Sequence, residues 1–275
     1  MNSERPLALI KGAGDLATGV ALSLHRAGFG VVMTEIARPT AIRLTVAFAQ
    51  AVYEGSHSVE GVHARRSDAA GWRIVVEADN VAVLVDPEAA ILHEVTPLVV
   101  VDAIMAKRNL GTVRKRGSVV IGLGPGFIAG DDVDAVIETE RGHELGHIIR
   151  EGSARENSGI PGEIGGRGAE RVLRAPADGT IFNLKEIGAL VAAGETVARV
   201  GDRMVRAPFD GCLRGLIHHG IVVRRGMKIG DVDPRGERQY ASTVSDKARA
   251  LGRAVLEAVI VIGRERYLLG LSARQ

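Results

Sequence analysis

Residues 7–35 read LALIKGAGDLATGVALSLHRAGFGVVMTE, and the period of the apolar pattern changes twice along them. Leu7, Ala8, Leu9 and Ile10 form the short continuous apolar run of a strand buried on both faces. Leu16, Val20 and Leu24 then recur at helical spacing, with Ala17, Ala21 and Ala27 leaving room for close packing on a sheet. Gly28 suits the position that ends such a helix. Val31, Val32 and Met33 give a second strand, with Glu35 at its carboxyl end. The pattern predicts strand, glycine turn, helix, strand.

Similar patterns continue downstream. Pro39 stands near the first position of a predicted helix through Ala41, Leu44, Phe48 and Ala51. Residues 59–76 read as short strands around a polar turn, the last beginning at Trp72, in a hairpin insert or edge. Residues 81–85 form an apolar strand, and Asp86-Pro87 caps a short helix carrying Ile91, Leu92 and Val95, which Pro97 stops. Further strands fall at 98–101, 119–121 and 133–137. Strands alternating with helices predict an α/β fold with right-handed crossovers, a Rossmann-like parallel-sheet domain over 1–168.

The pattern changes again after residue 168. Arg174-Ala175-Pro176-Ala177-Asp178-Gly179 recurs 32 residues later as Arg206-Ala207-Pro208-Phe209-Asp210-Gly211. The same shift carries Gly188 to Gly220, Val191 to Val223, Gly194 to Gly226 and Val197 to Ile229. Each half reads as short strands between glycine turns, and two halves can bury each other's apolar faces as a small all-β module over 169–236. The module resembles the barrel-sandwich of biotinyl and lipoyl domains, in which a lysine in the turn between the halves carries the cofactor. Arg203 stands in that turn and arginine is not acylated, so neither biotin nor lipoate is expected. In the final segment, 237–275, the spacing of Ala248, Leu251, Val255 and Val259 predicts a helix over 244–262 that packs back on the first domain.

Composition narrows the function classes. The 275 residues carry 35 Lys and Arg against 33 Asp and Glu, a balance that gives no field to capture nucleic acid or an anionic membrane. Aromatic residues, at 3%, leave few platforms for stacking bases. No apolar run reaches transmembrane length and MNSERP lacks a signal-peptide pattern, so a cytoplasmic location is expected. The single cysteine, Cys212, excludes an internal disulfide and a Cys-rich metal site. It falls in a predicted strand, at the place Thr180 takes in the first half of the repeat, and reads as a small β residue rather than a reactive thiol. His143 and His147 have the spacing of a helical zinc site, but Gly142 and Gly146 weaken that helix and no third ligand is near, so no metal is expected. Residues 153–168 read as a polar, Gly-rich linker or lid, with Asn157 and Glu163 available for hydrogen bonds.

The candidate chemistry lies in three loops on one edge of the predicted sheet. Gly12-Ala13-Gly14-Asp15-Leu16-Ala17 fits G-x-G-x-x-A: Gly12 and Gly14 let backbone amides approach a phosphate at a helix N-terminus, and Glu35 would reach a ribose hydroxyl. Asp15 suits the helix dipole but repels a pyrophosphate, which Lys11 would offset. The alternative is an ordinary strand-to-helix turn using glycine for its sterics. In the second loop, DAIMAKRNLGT, Asp102, Lys107, Arg108 and Asn109 would clamp phosphate or carboxylate, or form a solvated basic turn. In the third, GLGPGFIAG, Gly122, Gly124 and Gly126 allow close approach of a ligand, Pro125 stiffens the loop, and Phe127 is counted with them.

The stretches KGAGDLATG, DAIMAKRN, GLGPGF, AVIET, RGH, PGEIGG, ERVLRAPADG and IGDVDPRG all stand in this chain. Through them it resembles, over nearly its whole length, the bacterial accessory family of the selenium-dependent molybdenum hydroxylase system. The resemblance implies a part in maturing molybdenum hydroxylases similar to xanthine dehydrogenase, whose pterin cofactor is often carried as a cytosine dinucleotide. The implied function is to hold a nucleotide-containing ligand, such as a molybdopterin dinucleotide, for delivery to a hydroxylase client. An NAD(P)-dependent oxidoreductase is the alternative, although no Tyr-x-x-x-Lys or paired acid and base marks a hydride site; a non-enzymatic scaffold is a third. The expected partners are a small nucleotide-type ligand and a hydroxylase client, with homo-oligomerisation left open. The chain departs from the family at Asp134, where the family carries histidine, and the resemblance names no catalytic residue.

Overall fold

The computed structural model describes residues 5–156, 162–266 and 268; Asn157 and the first four residues of MNSERP lie outside them. β1 (Leu7–Lys11), α1 (Asp15–Arg26) and β2 (Gly30–Glu35) form the expected opening unit. Ala8 and Ile10 of β1 belong to one apolar layer and Leu9 to the other, all fully buried, which is why this run shows no alternation.

Three of the expected elements differ, two of them before the fifth strand. In place of one helix through Ala41 to Ala51 the chain makes a 3₁₀ turn at Leu44–Val46 and the short helix α2 (Gln50–Glu54). The Phe48 amide donates to Thr18 Oγ1 at 2.9 Å and the Ala49 amide to Ala13 O at 2.8 Å, so this backbone is bonded to α1 and its preceding turn instead of to itself. After the hairpin β3 (Ser56–Val59) and β4 (Val62–Ser67), the segment read as a strand is the helix α3 (Trp72–Glu77). Asp68 Oδ1 accepts from the Ala70 and Gly71 amides at 3.1 and 2.8 Å and starts the turn. Trp72 and Val76, four residues apart, then bury on one side while Ile74 stays exposed.

β5 (Val81–Val85), β6 (Val99–Asp102), β7 (Val119–Leu123), β8 (Ala135–Ile137) and β9 (Ile148–Ile149) complete a nine-stranded sheet. Its order is β3-β4-β5-β2-β1-β6-β7-β8-β9, parallel from β4 to β8 with an antiparallel strand at each edge. The order grows outward from β1 in both directions, so the connections leaving β1 and β6 diverge at their carboxyl ends. Between β5 and β6 the expected short helix is a 3₁₀ turn, Ala90–His93, with Asp86 accepting from the Ala90 and Ile91 amides at 2.8 and 3.0 Å.

The repeat folds as two four-stranded antiparallel sheets, neither closed on itself. In chain order the strands are β10 (Val172–Arg174), β11 (Gly179–Asn183), β12 (Leu190–Val191), β13 (Thr196–Val200), β14 (Arg203–Arg206), β15 (Gly211–Leu216), β16 (Val222–Val223) and β17 (Lys228–Asp233). The sheets run β10-β17-β15-β12 and β14-β13-β11-β16, so each takes two strands from each half of the repeat. The 32-residue shift also carries register onto register: Arg174 pairs with Lys228 as Arg206 pairs with Thr196, and Ile181 with Val200 as Leu213 with Val232. The symmetry breaks in β15, where the register slips between Leu213 and Gly215 and Arg214 becomes an extra, bulged residue.

After the one-turn helix α4 (Gln239–Ser242), α5 (Asp246–Glu265) returns to the first sheet. Ser245 caps it, its hydroxyl accepting from the Ala248 amide at 3.1 Å. Its buried stripe, Ala248, Leu251, Val255, Val259 and Ile262, joins the layer formed by α1 and the inner side chains of β7 and β8, strands joined by no helix of their own. Contact with α1 is made through glycine: a Cβ on Gly252 would lie 2.3 Å from Gly19 O, and one on Gly19 2.4 Å from Ala248 O. At the far end Arg266 donates to Asp134 Oδ1 and Oδ2 at 2.6 and 2.8 Å, while the Val120 amide donates to Oδ2 at 2.9 Å and Arg114 to Oδ1 at 2.8 Å.

Gly252→Val is therefore expected to destabilise the protein by about 3 kcal/mol, the upper range for overpacking. Thermal denaturation beside Arg253→Ala, on the exposed face, checks this; equal midpoints for the two variants would refute the contact. Burial by itself would raise the Asp134 pKa, yet Arg266, the Val120 amide and Arg114 hold it below the usual carboxylate value of 3.8. A depressed folded pKa contributes stability above the unfolded value and loses it as the pH falls through the folded one. Asp134→Asn should thus be less stable than wild type at pH 7, with the difference shrinking below pH 3.8 in denaturant titrations across the acid range.

Candidate ligand-binding site

The carboxyl edge of the large sheet faces a cavity of about 480 Å³, bounded by the first turn of α1, the loops after β6 and β7, the segment after β8, the repeat module and the start of α5. Nine Arg and Lys side chains line it against five Asp and Glu. From the loops expected to bind ligand it receives Asp15, Lys107 and Pro125. Gly14 is the residue preceding α1 and has open space around it: a Cβ there would meet no atom within 4 Å. No side chain caps α1, so the amides of its first turn face this edge without an internal partner.

The other expected residues hold protein to protein. Gly12 has φ +91° and lies so close to the loop after β6 that a Cβ would be 3.1 Å from Ala103 O. Glu35 turns its carboxylate onto the glycine turn itself, accepting from the Ala13 amide at 2.9 Å and from the Ile36 amide at 2.8 Å. Burial raises its pKa, against the lowering effect of those two amides. Asp102 is buried with Lys11 and Thr112: Thr112 Oγ1 donates to Asp102 Oδ2 at 2.6 Å, and Lys11 Nζ donates to Thr112 Oγ1 at 2.7 Å and stands 3.3 Å from Asp102 Oδ2. Lys11 is thus committed to the core, where it offsets Asp102 and not a ligand's phosphates.

Asn109 closes the same loop, its Oδ1 accepting from the Gly111 and Thr112 amides at 2.9 and 2.7 Å. Arg108 is exposed and its backbone packs on Gly126, where a Cβ would come within 2.6 Å of Arg108 N and Cα. A Cβ on Gly122 would enter the Phe127 ring at 2.5 Å, and Phe127 is itself buried in the layer beneath the sheet. Gly124 faces Thr139 Oγ1, 2.6 Å from where its Cβ would be. In the loop these glycines support, Met105 and Lys107 both adopt φ +62°, a sparsely populated conformation for residues other than glycine.

The most deeply buried cations of the cavity come from segments in which the sequence showed no chemistry. Arg43, 7% exposed, donates from Nη2 to Tyr240 O and Thr243 O at 2.8 and 2.9 Å, whereas its Nε and Nη1 are buried without a hydrogen bond. Asp15 Oδ2 is 3.7 Å from Nη1. Burial, then the charge of Arg214, brings the Arg43 pKa down to about 10. Arg214, 6% exposed, leaves Nε without a partner, 3.9 Å from Asp233 Oδ2. Lys228 stands where water reaches it but has protein on most sides, and that desolvation lowers its pKa; Lys247, in the first turn of α5, is lowered for the same reason. Arg141 grips the neighbouring Asp246 through both carboxylate oxygens and holds its pKa down to about 2. One signal was open to sequence reading: Arg214 replaces Phe182 in a repeat otherwise apolar at that place.

Among the described residues no group of three or more His, Cys, Asp or Glu is placed to hold a metal ion, and His143 is exposed in a turn. No helix among them is long and apolar enough to cross a membrane. Arg203 is exposed at the β13–β14 turn. Cys212 is fully buried in β15, opposite Leu190 and Asp233.

What the fold and the cavity define is a mixed α/β protein with a cationic cleft against an antiparallel repeat module. No family model matches the chain. It is 50% identical over 261 residues to the "Uncharacterized protein YqeB" of Escherichia coli (strain K12), an alignment covering 94% of this chain and 48% of that protein. The chain thus spans about half the length of the curated relative it matches. Two solved structures of the ectoine utilization protein EutE (DoeB) from Ruegeria pomeroyi, product-bound and apo, are 13% and 12% identical. Their alignments cover 83% of this chain and 85% and 86% of theirs, with a TM-score of 0.26.

Burial, followed by the charge of Asp233, pushes the Cys212 thiol above its ordinary pKa, so the reactive thiolate is suppressed. Native protein at pH 8 should resist alkylation by iodoacetamide and react fully in denaturant, as intact mass will show. Rapid alkylation of the native protein would put a reactive thiol back among its functions.

Proposed function

We propose that this chain is a cytoplasmic accessory protein for maturation of a molybdenum hydroxylase, and that its cleft holds a phosphorylated, nucleotide-containing ligand such as a molybdopterin dinucleotide. The observation that carries ligand binding is the excess of cationic side chains around an uncapped helix N-terminus at the carboxyl edge of the sheet. The strand order supports it: β5-β2-β1-β6-β7-β8 follows the order of Rossmann-like sheets, which bind ligands where the connections diverge. The client and the pterin rest on the family resemblance. The exchange of strands between the repeat halves supports a barrel-sandwich reading of the module, in a docking role.

Glu35 argues against an NAD(P) oxidoreductase using the standard dinucleotide mode, because its carboxylate is engaged by the Ala13 and Ile36 amides instead of standing free for a ribose diol. Isothermal titration calorimetry with CDP, CTP, NAD, NADP, FAD and pterins should detect binding to at least one cytidine or adenine nucleotide. Lys247→Gln should weaken that binding about tenfold, the loss of one charge-assisted contact, without shifting the thermal midpoint of the free protein. A wild-type protein that gives no heat with any of these compounds would overturn the reading.

A further inference from the structure

The repeat module meets the first domain through the stacked rings of Tyr53 and His218 and through a short backbone contact that two buried arginines flank. The Leu216 amide donates to Ile42 O at 2.9 Å. Gly215 makes this possible, since a Cβ there would sit 2.7 Å from Ile42 Cγ2 and 3.1 Å from Ile42 O. The next residue along the first domain is Arg43, and the residue before Gly215 is Arg214, placed there by the β15 bulge that breaks the symmetry of the repeat. Both guanidinium groups are more than nine-tenths buried, both line the cleft, and both keep nitrogens without a hydrogen bond.

Like charges facing one another across a buried seam repel, and a buried donor left unsatisfied is costly. The carboxylates on the module side are shared: Asp231 pairs with Arg171 and stands 3.7 Å from Arg214 Nη1, and Asp233 takes Arg235 in two hydrogen bonds, at 2.9 and 2.6 Å, and stands 3.9 Å from Arg214 Nε, so neither hydrogen-bonds Arg214. On the sheet side Asp15 stays 3.7 Å away, beyond hydrogen-bonding distance. Two further cations, Lys228 from the module and Lys247 from α5, face the same space and pair with no carboxylate among the described residues.

We infer that the seam between Arg43 and Arg214 is a diphosphate-binding site that uses residues of both domains, with Lys228 and Lys247 as its further cationic groups. The inference rests on the nucleotide reading above and names the part of the ligand this seam recognises. A diphosphate carries more charge than a carboxylate or a single phosphate and spreads it over two linked phosphoryl groups, so it can reach cationic groups of both domains at once. Bound there, it ties the module to the sheet, so its affinity depends on side chains from both.

Calorimetry with inorganic pyrophosphate, orthophosphate and the tightest nucleotide of the panel tests this on the full chain. Pyrophosphate should bind at least tenfold more tightly than orthophosphate, with an affinity that falls steeply with salt. Lys228→Gln and Arg214→Gln should each weaken pyrophosphate at least tenfold. Arg203→Ala, which removes one charge from the same module outside the cleft, should leave it unchanged. Lys228 is solvent-accessible, so its variant keeps the test valid if Arg214→Gln fails to fold. Undiminished nucleotide binding in Lys228→Gln would overturn the shared site while leaving nucleotide binding in place. Equal weakening by Arg203→Ala would reduce the effect to general charge and overturn it too, and a wild type that binds neither pyrophosphate nor any nucleotide would overturn both.

Discussion

The position of everything after the first sheet depends on the place where α5 crosses α1 with two glycines at the contact. Gly19 and Gly252 let the backbones approach to a distance at which no side chain fits. That approach allows the last helix of the chain to lie over β7 and β8, strands whose connections are loops and which would otherwise expose one face. The chain leaves the sheet, builds the repeat module and comes back, so the module is tethered at both ends to the same domain. Arg141 with Asp246 at the start of α5, and Arg266 with Asp134 at its end, fix the helix along its length. The cleft is the space left between a fixed helix, a fixed sheet edge and the module held between them.

Polar groups at that edge fall into two sets. Lys11, Asp102, Thr112, Asn109 and Glu35 satisfy one another or nearby amides, and they shape the loops. Arg43 and Arg214 remain partly unsatisfied while buried, and Lys228 and Lys247 are held at lowered pKa by the surrounding protein. Native proteins seldom leave buried donors unpaired without a functional reason. The first set shapes the loops, and the second is what the proposed ligand would engage.

Much of the fold was legible in the sequence because strands buried on both faces leave continuous apolar runs, and because a duplicated segment announces itself at constant offset. The stripe of α5 was legible for the same reason, as a one-sided helix. Helix α3 was not, since Trp72 to Val76 fits either period and the choice was made by Asp68 bonding the amides before it. Nor was the interrupted helix around Phe48, which is decided by hydrogen bonds to Thr18 and Ala13, far away in sequence. At the site, the sequence showed glycines but not what fills the space beside them: a phenyl ring at Gly122, another loop's backbone at Gly126 and open space at Gly14. Arg43 and Arg214 are 171 positions apart in the chain, and contacts such as Ile42–Leu216 and Tyr53–His218, which no local pattern shows, bring them into one cavity.

The exchange of strands within the repeat bears on how such a module can come to exist. Each sheet draws two strands from each half, and corresponding strands keep the same registers. A single half therefore has no sheet of its own to complete and no second layer to cover its apolar side. The smallest unit that can bury this core is two copies, which makes the tandem sequence a dimer joined end to end. Once joined, the copies were free to diverge singly, and Arg214 where its counterpart is Phe182 is a change that two identical subunits could not have made on one side alone.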